Sequence, residues 1–521
     1  LHGDLDGAGA TLAEAVECER DVAATDTNVR RAALGNLAMV CRDRGSFDEA
    51  QALFTEEENL CRAAGDAHGL QASLGNQAQL ARQRGDTARA LACTEEQEEI
   101  CRATGDRIGV ARAQAARATV LSDLGQLEQA LPLYRAHADV CRDIGDARGL
   151  TESLLNQAVD LQRLGRPEEG AAAAIEAEAH ARQAGDLTLL SRVLALRANG
   201  AIDGQRWAEA EQLAREAELA ARSENAPAPL ALALAALGMA RREQGDVAGA
   251  RVAHEEEERV AAAMADPGAM ATARINLGAC DIVEGRLDDA LARYAAADEA
   301  LTKMGALHAL LPMLANRAQV HLHVGNAAAA LADYERGATI ARESGLVAQQ
   351  HQMLTKAVEL MYSLGQAATT EPLWVELEAA CRLVGDDAGL QRAIGERALL
   401  VIGRMDLDGA APLLDEQEAI CRRIGDHAGL AACVGNRAIL LRHRGDLEGS
   451  LRCLDEQLTI AQASNNGQGV LFATANRGEI LGVMGRHDEG IAALEQAKAM
   501  ATQWGATAMI PQLDALIEQL R

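Results

Sequence analysis

The chain has 521 residues, of which 49% are apolar but only 2% aromatic, with nine prolines and a formal net charge of −27. That charge argues against a nucleic-acid or anionic-membrane surface, because neutralising phosphates needs basic stripes. No apolar run approaches the roughly 20 residues that span a bilayer, and the start lacks a charged-then-apolar signal pattern, so a cytoplasmic protein with no membrane partner is expected.

In chain order, the opening Leu1-His2-Gly3-Asp4-Leu5 matches the later turn Arg444-Gly445-Asp446-Leu447, so the chain starts inside a repeat. Residues 1–26 are expected to form a partial repeat with a lone second helix at about 4–24. This start is read as that of a fragment or processed piece with something removed upstream of it, the place of any enzymatic activity of the parent. From 27 onward a forty-residue period takes over. One turn glycine returns at Gly45, Gly85, Gly125, Gly165, Gly245, Gly285, Gly325, Gly365, Gly445 and Gly485. A second turn carries Gly-Asp at Gly65-Asp66, Gly105-Asp106, Gly145-Asp146, Gly185-Asp186, Gly385-Asp386 and Gly425-Asp426. Two punctuated turns per period predict two helices per repeat. The spacing predicts twelve helix pairs over 27–506, first helices starting at 27, 67, 107 and onward to 467, and a C-terminal capping helix over 507–521.

In the unit 67–104 the first helix presents Leu70, Ser73, Leu74, Ala78 and Ala81 at the spacing of one buried face. Asp86 is expected to cap the second helix, as Ser46 does in its unit, with Glu49 at capping-box spacing. Expected second-helix core positions are Ala90, Leu91, Ile100, Cys101 and Thr104. The Gly-Asp is lost around Asn225 to Pro229, Met405 replaces a turn glycine, and Thr369 to Pro372 replaces a helix start; the superhelical pitch is expected to change at these seams. Five of the eleven cysteines, Cys61, Cys101, Cys141, Cys381 and Cys421, share one position that is Ala or Leu elsewhere, so they read as buried thiols in a reducing compartment.

This pattern resembles the tetratricopeptide repeat family over essentially the whole chain. The family places a small residue mid-way along the first helix, a glycine seven residues on and an alanine twelve on. Ala38, Gly45 and Ala50 fit, as do Ala78, Gly85 and Ala90; Ala158, Gly165 and Gly170; Gly278, Gly285 and Ala290; Ala318, Gly325 and Ala330; and Ala438, Gly445 and Ser450. The usual unit is roughly 34 residues. The longer period here is closer to kinesin light chain and the Leu-Gly-Asn repeat adaptors, and bacterial signalling proteins with long repeat tails look similar. The resemblance implies an all-α, right-handed superhelical solenoid of antiparallel hairpins, with 1–521 as one such array.

Recognition is expected on the first helices. Asparagine recurs at Asn36, Asn76, Asn156, Asn276, Asn316, Asn436 and Asn476, away from the Leu70–Leu74–Ala78 face and beside variable positions such as Gln79 and Gln83. Its amide offers a donor and an acceptor, which suits an extended peptide's main chain. The resemblance places this register in the concave groove, in contact with peptide backbone. The other reading is that each asparagine ties neighbouring helices together. The first-helix segments hold 25 Lys or Arg against 12 Asp or Glu, a surplus of 13 positive charges that leaves the remainder at −40. Arg42, Arg82, Arg242 and Arg442 share one first-helix position, and Arg317, Arg397, Arg437 and Arg477 another. A basic groove favouring an acidic peptide follows, unless these arginines are paired with second-helix carboxylates. Glu58–Arg62, Glu98–Arg102, Glu178–Arg182, Glu218–Arg222, Glu378–Arg382 and Glu418–Arg422 are read as i,i+4 supports. The acidic runs Glu56–Glu58 and Glu255–Glu258 read as solvated faces. His321 and His323 cannot share a helix face, and nothing resembles a phosphate loop or nucleophile elbow, so no metal, cofactor or enzyme activity is expected. The function expected is a scaffold or sensor for a protein or peptide. The alternatives are a regulatory tail acting on an upstream domain and a spacer that joins identical chains.

Overall fold

The computed structural model describes residues 27–366 and 369–521; the partial repeat over 1–26 lies outside them. The described residues form 25 α-helices, from Thr27–Asp43 to Ile510–Leu520, and no strand. First helices begin at 27, 67, 107, 147, 187, 227, 267, 307, 347, 387, 427 and 467. At the C-terminus a 3-10 turn, Thr507–Met509, leads into Ile510–Leu520. The chain divides into two compact units, one ending at Glu284 and the other starting at Gly285, in the turn after helix Pro267–Val283. Within each, consecutive helices pack in antiparallel pairs, an all-α helical-repeat solenoid.

The turns are built alike. Gly65 closes helix Phe47–Ala64 at φ 65°, a left-handed conformation that a side chain resists, and its N–H returns to the Arg62 carbonyl. Where a turn lacks glycine the conformation persists: Gln205, Asn225, Ala265, Met405 and Asn465 all have φ between 48° and 63°. Asp66, Asp86, Asp146, Asp386 and Asp446 each accept the backbone N–H three residues on, the side-chain cap expected of Asp86. Ser46 departs from expectation and makes no side-chain cap hydrogen bond. The helix after the Thr369–Pro372 seam is shortened to Glu371–Val384, 14 residues against 18 for Phe47–Ala64, because Pro372 fits only in a first turn.

The small residues of each hairpin mark where two backbones cross. A Cβ added at Gly170 would stand 3.0 Å from the Ala158 carbonyl oxygen, and the Ser450 hydroxyl donates to the Ala438 carbonyl at 2.8 Å. Leu70, Ser73, Leu74, Ala78 and Ala81 are all buried, as expected of that face. On the second helix Ala90 and Cys101 are buried and Leu91 and Ile100 half-buried, but Thr104 is exposed. It sits in the last turn, where its hydroxyl returns to the Ile100 and Cys101 carbonyls. The deepest second-helix register is instead the one that holds Phe54, Tyr134, Tyr294, Tyr334 and Trp374, which are among the largest fully buried side chains. The ten described cysteines are free, and Cys61, Cys101, Cys141, Cys381 and Cys421 are all buried.

Candidate functional site

The asparagine register lies on one face of the first helices. In the first unit Asn36 is exposed, Asn76 and Asn156 are half-buried and Asn276 is buried. In the second, Asn316 is exposed and Asn436 and Asn476 are half-buried. Of these seven, only Asn276 uses its amide within the chain, donating Nδ2 to Glu257 Oε2 at 3.4 Å. The other six make no side-chain hydrogen bond to the protein. Half-buried amides without a partner forfeit part of their hydration, so a ligand that pairs with them recovers it. Neighbouring helices pack roughly 8–10 Å apart, a spacing an extended chain covers in about three residues. The register is interrupted: Ala116, Leu196 and Ala236 occupy it in the first unit, Lys356 and Glu396 in the second.

The two arginine registers behave differently. Six residues at 100° each turn Arg42 about 120° around the helix from Asn36, so its register flanks the stripe. Arg42 bonds Asp43 and donates Nη1 to Gln79 at 2.8 Å, Arg82 reaches Asp123 at 3.2 Å, Arg242 reaches Glu243 at 2.9 Å and Arg442 reaches Glu479 at 2.6 Å. These partners all stand on first helices. The second register is paired with second-helix acids: Arg317 with Asp298 and Asp333, Arg397 with Glu378, Arg437 with Asp415 and Glu418, and Arg477 with Asp455. Burial acts to raise the Asp298 carboxyl, but hydrogen bonds from Arg336 and Thr302 and the Arg317 guanidinium outweigh it and hold it at about 2. Part of the positive surplus counted along the first helices is therefore spent on second-helix acids.

The second helices are stitched together. All six expected i,i+4 pairs are present. Their arginines also reach the next repeat, as Arg62 does to Glu96 at 2.6 Å, Arg222 to Glu256 at 2.6 Å and Arg382 to Glu416 at 2.8 Å. Exposed pairs contribute only about 0.2–1 kcal/mol each.

A buried polar register changes residue type from repeat to repeat, so no periodic identity marks it in the sequence. Glu57, His137, Glu257, Gln417 and Gln457 share it, with Gln97 half-buried, several lying over first-helix glycines: a Cβ at Gly35 would stand 2.6 Å from Glu57 Oε1, and one at Gly435 would stand 2.6 Å from Gln457 Nε2. Recurrence of Gly35, Gly75, Gly395 and Gly435 was the signal that such side chains pass there. Glu257 is bonded to His254 Nδ1 at 2.8 Å, and both are buried. Burial raises the Glu57 carboxyl above its ordinary value, against a hydrogen bond from Ser73 and the Arg31 guanidinium. With the folded value above the unfolded one, Glu57 costs stability when charged, and stability rises as pH falls through that value. Sibling repeats hold glutamine here, so Glu57→Gln is expected to raise the melting temperature at about pH 8 and to have little effect below the ordinary carboxylate range, near pH 3.5. Thermal melts at the two pH values check this; a lower melting temperature at pH 8 contradicts it.

In the second unit, a cleft of about 310 Å³ opens beside the short helix, lined by His351, Thr355, Trp374, Asp386 and Arg392. Of the described residues, His351, Cys381 and Asp386 form a cluster whose side-chain ligand atoms lie within 4.8 Å of one another. No single-helix histidine pairing marks it in the sequence, because the three residues come from different elements.

No family model matches the sequence, and no curated protein does. Among solved structures, the chain is similar to a Rap protein complexed with competence and sporulation factor, at 15% identity and a TM-score of 0.50, over 66% of this chain and 94% of that one. It is also similar to the human IFIT1 dimer with PPP-AAAA, at 14% identity and a TM-score of 0.41, over 88% of this chain and 95% of that one. A third similarity is to a signal-transduction ATPase with numerous domains from Pyrococcus horikoshii that has a tetratricopeptide repeat sensor, at 15% identity and a TM-score of 0.39, over 72% of this chain and 54% of that one. These neighbours are tetratricopeptide-type helical-repeat proteins, and the described residues have that fold. None of the described helices is long and apolar enough to cross a membrane.

Proposed function

We propose that the chain is a protein-interaction scaffold that holds an extended peptide or protein segment along its first-helix face. The observation that carries this reading is the set of six asparagines, Asn36, Asn76, Asn156, Asn316, Asn436 and Asn476, at one register with no hydrogen-bond partner within the protein. Their amides take the segment's main chain, while the changing neighbours Met39, Gln79, Val159 and Gln319 supply side-chain shape. The Rap neighbour, solved in complex with competence and sporulation factor, is consistent with a peptide ligand. An acidic segment is favoured through exchange: Arg42, Arg82, Arg242 and Arg442 hold weak surface pairs, which a ligand carboxylate replaces at little cost.

Selection from a random linear peptide library on the full chain tests the assignment. Enriched peptides should protect the amides of Asn-bearing first helices such as His427–His443 and Gly467–Val483 from hydrogen exchange. Protection confined to second helices would move recognition to the other face.

A further inference from the structure

The cluster at the cleft has the ligand chemistry of a cation site. His351 projects from helix Val347–Ser363, Cys381 from the last turn of Glu371–Val384, and Asp386 caps Asp387–Gly403. His351 Nε2 lies 3.0 Å from Asp386 Oδ2. The other carboxylate oxygen accepts the Gly389 N–H at 2.9 Å, which fixes the carboxylate with Oδ2 towards the imidazole. Gly389 forms the floor: a Cβ there would stand 3.0 Å from Cys381 Sγ. The thiol is fully buried, and the imidazole and carboxylate are half-buried.

Sibling repeats show what this seat contains when it is only structural. In the first unit the position of His351 is Arg31, whose Nε pairs with Asp66 at 3.2 Å beside Cys61. In the second unit it is Gln391, which donates Nε2 to Asp426 at 2.9 Å and accepts from Cys421 Sγ at 3.5 Å. A guanidinium or an amide satisfies the aspartate but offers no good ligand for a soft or borderline metal. Among the described residues, only His351, Cys381 and Asp386 bring an imidazole nitrogen, a sulfur and a carboxylate oxygen together.

We propose that His351, Cys381 and Asp386 form a binding site for a zinc-class divalent cation, with its fourth position open to water in the adjoining cleft. Nitrogen, thiolate and carboxylate donors together select zinc over calcium or magnesium, which take oxygen ligands. Bond lengths of about 2.0–2.3 Å put ligand atoms of a tetrahedral site roughly 3.3–3.8 Å apart, within reach of side-chain adjustment from the present spread. A thiol ligates as the thiolate, so cation binding releases the Cys381 proton to solvent. Arg392, exposed on the cleft wall and without a partner among the described residues, can receive an anion at the open position. Bound metal would tie the short Glu371–Val384 helix to first helices on both sides of it.

The test is a cobalt(II) titration of the reduced, metal-free full chain. The expected result is a thiolate-to-cobalt charge-transfer absorption with intense four-coordinate d–d bands, saturating near about one equivalent and displaced by zinc. His351→Gln reproduces the side chain of the Gln391 seat, so it should fold with unchanged helicity and weaken binding by at least about 100-fold. Cys381→Ala, matching the alanines at 181 and 261, should remove the charge-transfer absorption. Absence of that absorption in the wild type overturns the proposal. So does its persistence unchanged in His351→Gln, since other thiols would then be responsible.

Discussion

Replacing Trp374 by alanine is expected to be the most damaging truncation in the second unit, costing about 3–5 kcal/mol. The indole is 2% exposed and meets Tyr362 edge-on, with ring centroids 5.8 Å apart and planes at 77°. It also packs in the cluster that holds Leu354, Val358, Leu377 and Ile394. Its helix has 14 residues against 18 for Phe47–Ala64, so fewer side chains of that helix contribute to the core. In a repeat array each pair is held mainly by its neighbours, so the loss should appear first as local opening. Hydrogen exchange should accelerate in Val347–Ser363, Glu371–Val384 and Asp387–Gly403 well before the far end of the unit, His487–Gln503, is affected. Uniform acceleration across the unit would mean it unfolds as one cooperative body.

Gly478→Leu should cost about 3 kcal/mol, near the upper end for overpacking. A Cβ at this position already stands 2.9 Å from the Gly490 carbonyl oxygen and 2.8 Å from the Leu494 side chain. The first of these is backbone and cannot rotate away, so the hairpin Gly467–Val483/His487–Gln503 must open. Gly403→Ala is the control. It lies at an exposed helix end with nothing within 4 Å of an added Cβ, so the change should gain up to about 1 kcal/mol from helix propensity alone. Chemical denaturation of the two variants separates the cases; equal effects would show that the crossing at Gly478 is not tight.

The periodic features were legible because each recurs many times: the left-handed turns at Gly65 and Gly85, the Asp86 cap, and the Leu70–Leu74–Ala78 face. Features carried by single repeats were not. The aromatic register escaped notice because the unit taken as type holds Thr94 there, and Phe54, Tyr134 and Trp374 become one register only when the repeats are superposed. Ser46 had capping-box spacing, yet spacing does not set the rotamer that makes the bond. The two arginine series looked equivalent in charge. They differ by position on the helix, which turns Arg317 and Arg437 towards second-helix acids and Arg82 and Arg442 along the first helices. His351, Cys381 and Asp386 lie 30 and five residues apart on separate elements, a spacing no single-helix motif contains.

The asparagine face is tested most directly by the dissociation constant of a library-selected peptide for the wild type and for Asn436→Ala/Asn476→Ala, after circular dichroism shows equal helicity. These two lie on successive first helices of one unit and have no partner within the protein, so truncating them removes contacts to the ligand without breaking contacts of the fold. Each lost main-chain hydrogen bond should cost about 0.5–1.5 kcal/mol, so the pair is expected to weaken binding by roughly 5–150-fold with unchanged stability. An unchanged dissociation constant for every selected peptide, with the corresponding Asn36→Ala/Asn76→Ala chain equally unaffected, would contradict the assignment of these amides to ligand binding.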